Sequence, residues 1–296
     1  LLLALCLCLT LLPGTAGAAE PATTTADFTS ADSATTAIAL LNQHKTGETV
    51  STWNNSSKTL ALNGINFTTT AQTAVKLPAG STIVLADGTT NTIKGGDAED
   101  NENGTYKTKI AVYGIYAQGA LTIQGTGGLT VNSGSHTNSG DAWTYSTALY
   151  AGGDLTVKGG SVTATGGKAT SADCAFSYGV GLAEGGDLTI TGGSLTGIGG
   201  ESVDTGDGEE HTSFSEGFDL YKGSVSVTGG KLEGKCVSDM DGEGLAYGIR
   251  INSGALTVSG GEVSANATKA IDISNGNLKQ TGGKITAVAT TSESVG

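Results

Sequence analysis

The chain is short of proline, with 3 in 296 residues, and of aromatic rings, which make up 5%. It carries one methionine and one arginine, Arg250, and only 15% of its residues are charged, which argues against a long helical or coiled-coil protein. Basic side chains number 15 against 28 acidic ones, a net charge of -13. Nucleic-acid binding needs clustered Lys and Arg to neutralise phosphates, so that class of partner is excluded. Cysteine is scarce too. Beyond Cys6 and Cys8 in the first apolar run there remain Cys174 and Cys236, too few for a disulfide scaffold. No C-x-x-C or Cys/His cluster is present to form a structural zinc site. Glycine is in excess: 48 residues, over twice the usual share of about 7%. There is no Gly-X-Y period, so collagen is excluded, and 37% hydrophobic residues exclude wholesale disorder.

Leu1 to Leu12 is apolar and is followed by Pro13-Gly14 and Ala16-Gly17-Ala18. That reads as a secretory signal peptide over residues 1–18, without its charged start, cleaved near Ala18. The run is too short to span a membrane, so no membrane insertion is expected. Residues 19–57 read as an N-terminal segment and cap, with a helical turn over Ala37 to Gln43 and Trp53 packed in it. Residues 291–296 read as an interrupted end, beyond which a cell-wall attachment module would follow.

The main signal is a repeat. Leu121-Thr-Ile123, Leu155-Thr-Val157, Leu188-Thr-Ile190, Val225-Ser-Val227 and Leu256-Thr-Val258 are one motif, and Leu278-Lys279-Gln280 is a degenerate copy. Their starts differ by 34, 33, 37, 31 and 22 residues, the last being the bare unit. Each is followed by a glycine corner, such as Gly159-Gly160 or Gly192-Gly193, and then by a second alternation such as Val162-Thr-Ala164 or Leu195-Thr-Gly197. A third alternation precedes each motif: Ile115-Tyr-Ala117, Leu149-Tyr-Ala151, Val180-Gly-Leu182, Phe218-Asp-Leu220, Ile249-Arg-Ile251 and Ile271-Asp-Ile273. Weaker copies begin at Leu60 and Val75. Three period-two strands in 22 residues cannot bury an apolar face alone, but stacked units can. The expected fold is therefore all-β: a right-handed single-stranded parallel β-helix over residues 58–290, about eight coils of three short strands. At roughly 4.8 Å per coil it makes a rod of roughly 40 Å. The rival is an antiparallel sandwich, which would not require insertions at one corner of every coil.

The stretches "ALTIQGTGGLTVNSG", "LYAGGDLTVKGGSVTATGG" and "YGIRINSGALTVSGGEVSAN" resemble a bacterial carbohydrate-binding parallel β-helix family, of the clostridial cellulose- and pectin-binding surface-protein type. "AVKLPAGSTIVLADGTTNTIKGG" is similar to the opening coils of surface proteins from gut Firmicutes. The similarity covers about Trp53 to Val288. It implies a right-handed parallel β-helix, secreted, that binds acidic or neutral polysaccharide with calcium. No sugar-contacting residue is carried over from it.

The residues themselves offer candidates. Tyr116 and Tyr150 hold the same outward position on consecutive coils, so their rings should stack about one strand spacing apart, with Trp143 and Tyr145 nearby in the insertion. Sugar faces pack on such rings; a tyrosine ladder that only stabilises the sheet is the competing reading. Tyr113, Tyr178 and Tyr247, each followed by glycine, read as structural corners. The acidic insertions around Asp97 and Asp100, Asp204 and Asp207, and Asp239, Asp241 and Glu243 are candidate calcium sites, against a reading as solvated charge. Asp154 and Asp187 recur after Gly-Gly and are expected to bond backbone amides. Arg250, between Asp219 and Asp272 in the ladder, reads as an ion-pair ladder rather than a lyase relic. His44, His136 and His211 read as surface histidines. The row Thr122, Thr156, Thr189, Ser226 and Thr257 follows from β-propensity and hydroxyl ladders.

The function expected is non-catalytic polysaccharide binding, to plant cell-wall or host glycans, by a secreted or cell-surface protein, with calcium as the candidate cofactor. The alternative is a structural adhesin stalk, and the third is a polysaccharide lyase.

Overall fold

The computed structural model describes residues 22–100, 109–140, 142–206, 213–236 and 245–290. The fold is mostly β, 61% strand against 5% helix, as the all-β expectation requires. Successive strands along the chain take turns among parallel stacks. The first stack contains Ala26–Asp27, Thr73–Leu77, Lys109–Ala117, Trp143–Ala151, Ala175–Leu182 and Phe214–Leu220. The second contains Thr59–Leu62, Ser81–Leu85, Leu121–Gly125, Leu155–Val157, Leu188–Ile190 and Val225–Val227. Leu245–Val258 is long enough to belong to both and joins them into one 15-stranded sheet. The third stack is an eight-stranded sheet that begins at Asn66–Thr68 and ends at Lys284–Ala289. Among the described strands, only Thr52–Asn54 with Thr59–Leu62 pairs antiparallel, so the sandwich alternative fails.

Register turns the sequence repeat into ladders. Val75, Ile115, Leu149, Val180, Phe218, Ile249 and Ile271 stack along the first stack. Ile83, Ile123, Val157, Ile190, Val227 and Val258 do so along the second. Like residues meeting at one strand spacing make a thin aliphatic core with few rings. Where a ring does enter, space is made for it. Phe218 is fully buried, and a Cβ on Gly197 in the third stack would lie 2.8 Å from its Cε2.

From Gly159-Gly160 onward both glycines of each corner pair are needed, whereas Gly128 in the first pair has room for a Cβ, its nearest contact being 3.7 Å. The second, as at Gly160, Gly193 and Gly230, has φ of 81°, 68° and 71°, which side-chain-bearing residues rarely adopt. The first lies against the previous coil: a Cβ on Gly159 would sit 2.4 Å from the Gly125 carbonyl oxygen.

The helix in the N-terminal segment begins earlier than its sequence suggested. The helix spans Ala31–Gln43, and Ser30 starts it with a capping box in which Ser33 replaces the usual Glu or Gln. That substitution explains why the start was not legible. Ala34, Ala37 and Leu41 are buried, and Trp53 packs on Phe28 at a ring separation of 4.8 Å.

Described parts of the insertions carry regular structure. Ala98–Asp100, His136–Asn138, Ala169–Ser171 and Ser202–Asp204 form a fourth, four-stranded parallel sheet. His136 is 1% exposed rather than on the surface. Its Nε2 lies 2.8 Å from Asp100 Oδ2 and its Nδ1 3.2 Å from the Tyr145 carbonyl, which ties this sheet to the first stack.

Candidate functional site

The site arises from a fault in alternation. In Trp143–Ala151, Thr144 and Ser146 are fully buried, and then Leu149 and Ala151 are. The inward phase has slipped by one residue. The same slip separates Val112 from Ile115, Ser177 from Val180, Ser215 from Phe218 and Ala246 from Ile249. A small residue marks it each time: Gly114, Ala148, Gly179, Gly217 and Gly248. Here the backbone lies against the third stack. A Cβ on Gly179 would be 2.2 Å from the Ile198 nitrogen, and one on Gly217 would be 2.7 Å from the Lys235 nitrogen.

Outward residues on either side of the slip are three apart, and they lean toward each other. Tyr113 and Tyr116 have ring centroids 5.0 Å apart. Arg250 lies 4.9 Å from the Tyr247 ring. Parallel register extends each position into a row. One row is Tyr113, Thr147, Tyr178, Glu216 and Tyr247; the other is Tyr116, Tyr150, Gly181, Asp219 and Arg250. A third, on the near side of the slip, is Ala111, Tyr145, Phe176 and Phe214. Strand spacing forces the rings to stack. Tyr145 and Phe176 are 4.5 Å apart at 9°, Phe176 and Phe214 5.5 Å at 3°, and Tyr116 and Tyr150 5.3 Å at 7°.

Between these rows lies a pocket of about 750 Å³. Its rings come from Tyr113, Trp143, Tyr145, Tyr150, Phe176, Tyr178, Phe214 and Tyr221, and its polar groups include Asp219, Arg250, Asn252 and Glu184. Cys174, from an insertion, also faces it. Trp143 is held by a hydrogen bond from Nε1 to Asp173 Oδ2 at 2.8 Å. Gly181 keeps the space open: a Cβ there would make ordinary contacts of 3.4 to 3.6 Å with Thr147, Tyr178 and Tyr150.

Glu216 is fully buried beside the pocket, and its Oε1 accepts a hydrogen bond from Arg250 Nη1 at 2.8 Å. Arg250 is also stacked over Phe214, at 4.8 Å. Burial raises the Glu216 pKa well above the ordinary carboxylate range, the neighbouring Asp219 raises it further, and attraction to Arg250 offsets only part of this. No N–H or O–H donor reaches its buried Oε2, and the side-chain hydrogen bond between Glu216 and Asp219 requires a proton on one of the two acids. Burial likewise raises the pKa of Tyr113, Tyr145, Tyr150 and Tyr178, and the charge on Asp219 adds to the effect at Tyr145, Tyr150 and Tyr178. These phenols therefore keep their protons and serve as hydrogen-bond donors, not as bases.

Trp143, Tyr145 and Tyr150 thus line one pocket, and Tyr116 stacks on Tyr150 beside it. Tyr113, Tyr178 and Tyr247 are not mere corners; the first two line the pocket and the third supports Arg250. The register does set Arg250 between Asp219 and Asp272, but its hydrogen bond goes to Glu216, while Asp272 accepts one from Ser274. Glu216 and Asp219 were missed as site residues. The recurring spacing of three across a small residue was the signal that could have found them.

The acidic insertions divide. Asp97 Oδ1 accepts from the Ser135 amide at 2.7 Å, Asp100 meets His136, and Asp204 Oδ1 accepts from the Gly206 amide at 2.8 Å. Asp100 and Asp204 sit at opposite edges of the four-stranded sheet, about 14 Å apart at one strand spacing per step, so they cannot share an ion. Among the described residues no three His, Cys, Asp or Glu side chains group closely enough to hold a metal. Asp207, Asp239, Asp241 and Glu243 lie outside the described residues. Asp154 and Asp187 do bond backbone amides, each on the next coil: Asp187 and Ser224 respectively. Among the described residues no helix is long and apolar enough to cross a membrane. In comparisons with known proteins, the chain matches no family model, no curated protein and no solved structure.

Proposed function

We propose that the chain is a right-handed parallel β-helix of about eight coils, secreted or held at the cell surface, that binds polysaccharide without cleaving it. The observation that carries this reading is the pocket of about 750 Å³ walled by stacked rings, with Asp219, Arg250, Asn252 and phenol donors along it. Pyranose rings have apolar faces that pack on aromatic rings and hydroxyls that need polar partners around them. Right-handed connection between parallel strands is the rule for such crossovers. Two features favour binding over catalysis. The tyrosines hold their protons too tightly to act as bases. The one arginine is engaged by Glu216 and two rings. Calcium at the acidic insertions would assist an acidic glycan, and this part of the reading rests on sequence alone.

Affinity electrophoresis through gels containing soluble plant and host polysaccharides, with calcium and with EDTA, tests the reading. Retardation by at least one polysaccharide is expected, together with a change in fluorescence of Trp143 that persists when Trp53 is replaced by phenylalanine. If no polysaccharide retards the protein, the stalk alternative takes its place.

A further inference from the structure

A gap in one of the pocket's rows bears on how a sugar sits there, and the inference rests on the reading of the pocket as a polysaccharide site. Register gives the row Tyr116, Tyr150, Gly181, Asp219 and Arg250 one residue per coil. Tyr116 stacks on one face of Tyr150, and Tyr113, which also meets that ring, comes from the same preceding coil. The following coil supplies Gly181, and among the described residues no ring of that coil stacks on the second face of Tyr150, which is half-buried. The rings of the neighbouring row offer no such face. Phe176 lies between Tyr145 and Phe214, and Phe214 lies between Phe176 and the Arg250 guanidinium.

Glycine at this position is not required by the coil. Its φ is not positive. At Gly114, Gly179, Gly217 and Gly248 of the same stack, a Cβ would come within 2.2 to 2.6 Å of a neighbouring atom, whereas at Gly181 the nearest would be 3.4 Å away. The row thus omits one rung that the fold could fill, and the omitted rung opens into the pocket. Tyr150 and Asp219, on either side of it, are two strand spacings apart, about 9 to 10 Å. That admits one flat ring, because stacked carbon atoms need about 3.5 to 4.0 Å on each side.

We propose that one pyranose ring of the polysaccharide takes the rung left out at Gly181, lying parallel to Tyr150 with its apolar C–H face on the phenol ring. The sugar then continues at one strand spacing the stack that Tyr116 and Tyr150 begin. Tyr150 is the stacking residue of this subsite, and Gly181 is the residue that determines whether the subsite exists.

The test is affinity electrophoresis of the full chain through gels of soluble β-glucan, xylan, galactan and polygalacturonate, with the variants run against the polymer that retards the wild type most. Gly181→Phe, which fills the rung with a protein ring, should abolish retardation and leave the melting temperature at or above that of the wild type, because the added ring extends the stack. Thr122→Phe, an equal ring added to the second stack, should leave retardation unchanged. Tyr150→Leu should weaken binding about tenfold, whereas Tyr150→Phe, which keeps the ring face, should not. Retardation that persists in a folded Gly181→Phe, or that Thr122→Phe abolishes as well, overturns the subsite and leaves the binding reading intact. Should Gly181→Phe fail to fold, the Tyr150 pair decides: equal binding by Tyr150→Leu and Tyr150→Phe overturns the stacking role. Retardation of the wild type by no polymer overturns the binding reading and this inference with it.

Discussion

The second stack presents Thr82, Thr122, Thr156, Thr189, Ser226 and Thr257 to solvent in one register-matched row. The first stack presents Tyr116, Tyr150, Gly181, Asp219 and Arg250 in another. Both rows obey the same rule, that equivalent residues of successive coils meet at one strand spacing. In the second stack the inward and outward positions alternate without fault, so its row stands alone, and none of its threonines lines the pocket. In the first stack the alternation slips, and two rows three residues apart turn to face each other. A pocket on this fold comes from a phase slip plus rings, not from the ladder itself.

Breaking the bent face should therefore cost far more than breaking the straight one. The largest effect is expected from Glu216→Ala, which strands the partly buried Arg250 without its partner. A loss of about 1 to 3 kcal/mol is expected from leaving the guanidinium without its buried hydrogen-bond acceptor. Thr156→Ala on the straight face should change stability by about 0.5 kcal/mol or less. Chemical denaturation of the two variants side by side measures the difference, and equal losses would remove the distinction between the faces.

The next effect is on binding. Replacing Tyr145 or the pair Tyr116 and Tyr150 by alanine should lower glycan affinity about tenfold through loss of ring contact, while the double change Thr122→Val and Thr156→Val leaves it unaltered. Titration by tryptophan fluorescence reads both. If the threonine variants weaken binding and the tyrosine variants do not, the site lies on the straight face.

A thiol reports on the same contrast more gently. Both thiols are partly buried, but Cys174 lines the pocket, whereas Cys236 donates to the Ser215 and Tyr247 carbonyls and has its pKa pushed up by burial to about 11. Iodoacetamide at neutral pH should label Cys174 first, because alkylation needs an accessible thiolate. Saturating polysaccharide should slow that labelling severalfold, as mass spectrometry would show.

The smallest effect is a slope. The folded protein holds a proton on Glu216 at pH values where an unfolded chain, with an ordinary value near 4.5, has released it. Stability then falls as pH rises above that value toward the raised one, because the native state binds more protons than the unfolded state. Melting curves across that range should show the decline, and Glu216→Gln should flatten it. A wild-type profile with no decline there would place the charge on Glu216 throughout.

The coil, its aliphatic ladders and its glycine corners were legible because each follows from local chemistry. Period-two apolar triplets such as Leu155-Thr-Val157 must face inward, and a Gly-Gly pair must turn where φ is positive and the neighbouring coil is close. The stacking of Tyr116 on Tyr150 followed from the same register. Less was legible in the insertions, where Ala98–Asp100 and His136–Asn138 carry no apolar alternation. Their pairing depends on His136 finding Asp100 and the Tyr145 carbonyl across the chain.

Sequence by itself thus determined an all-β stack of parallel strands and the rows in which its outward side chains would fall. Tertiary structure alone decided that two of those rows converge. The bend exists because Gly179 and Gly217 lie against backbone of the third stack, a contact between segments about 20 residues apart in the chain that only the assembled coil brings together. For the same reason Arg250 reaches past Asp219, its register neighbour, to Glu216. The bend brings the position three residues back into reach, and burial there makes an unpartnered guanidinium costly.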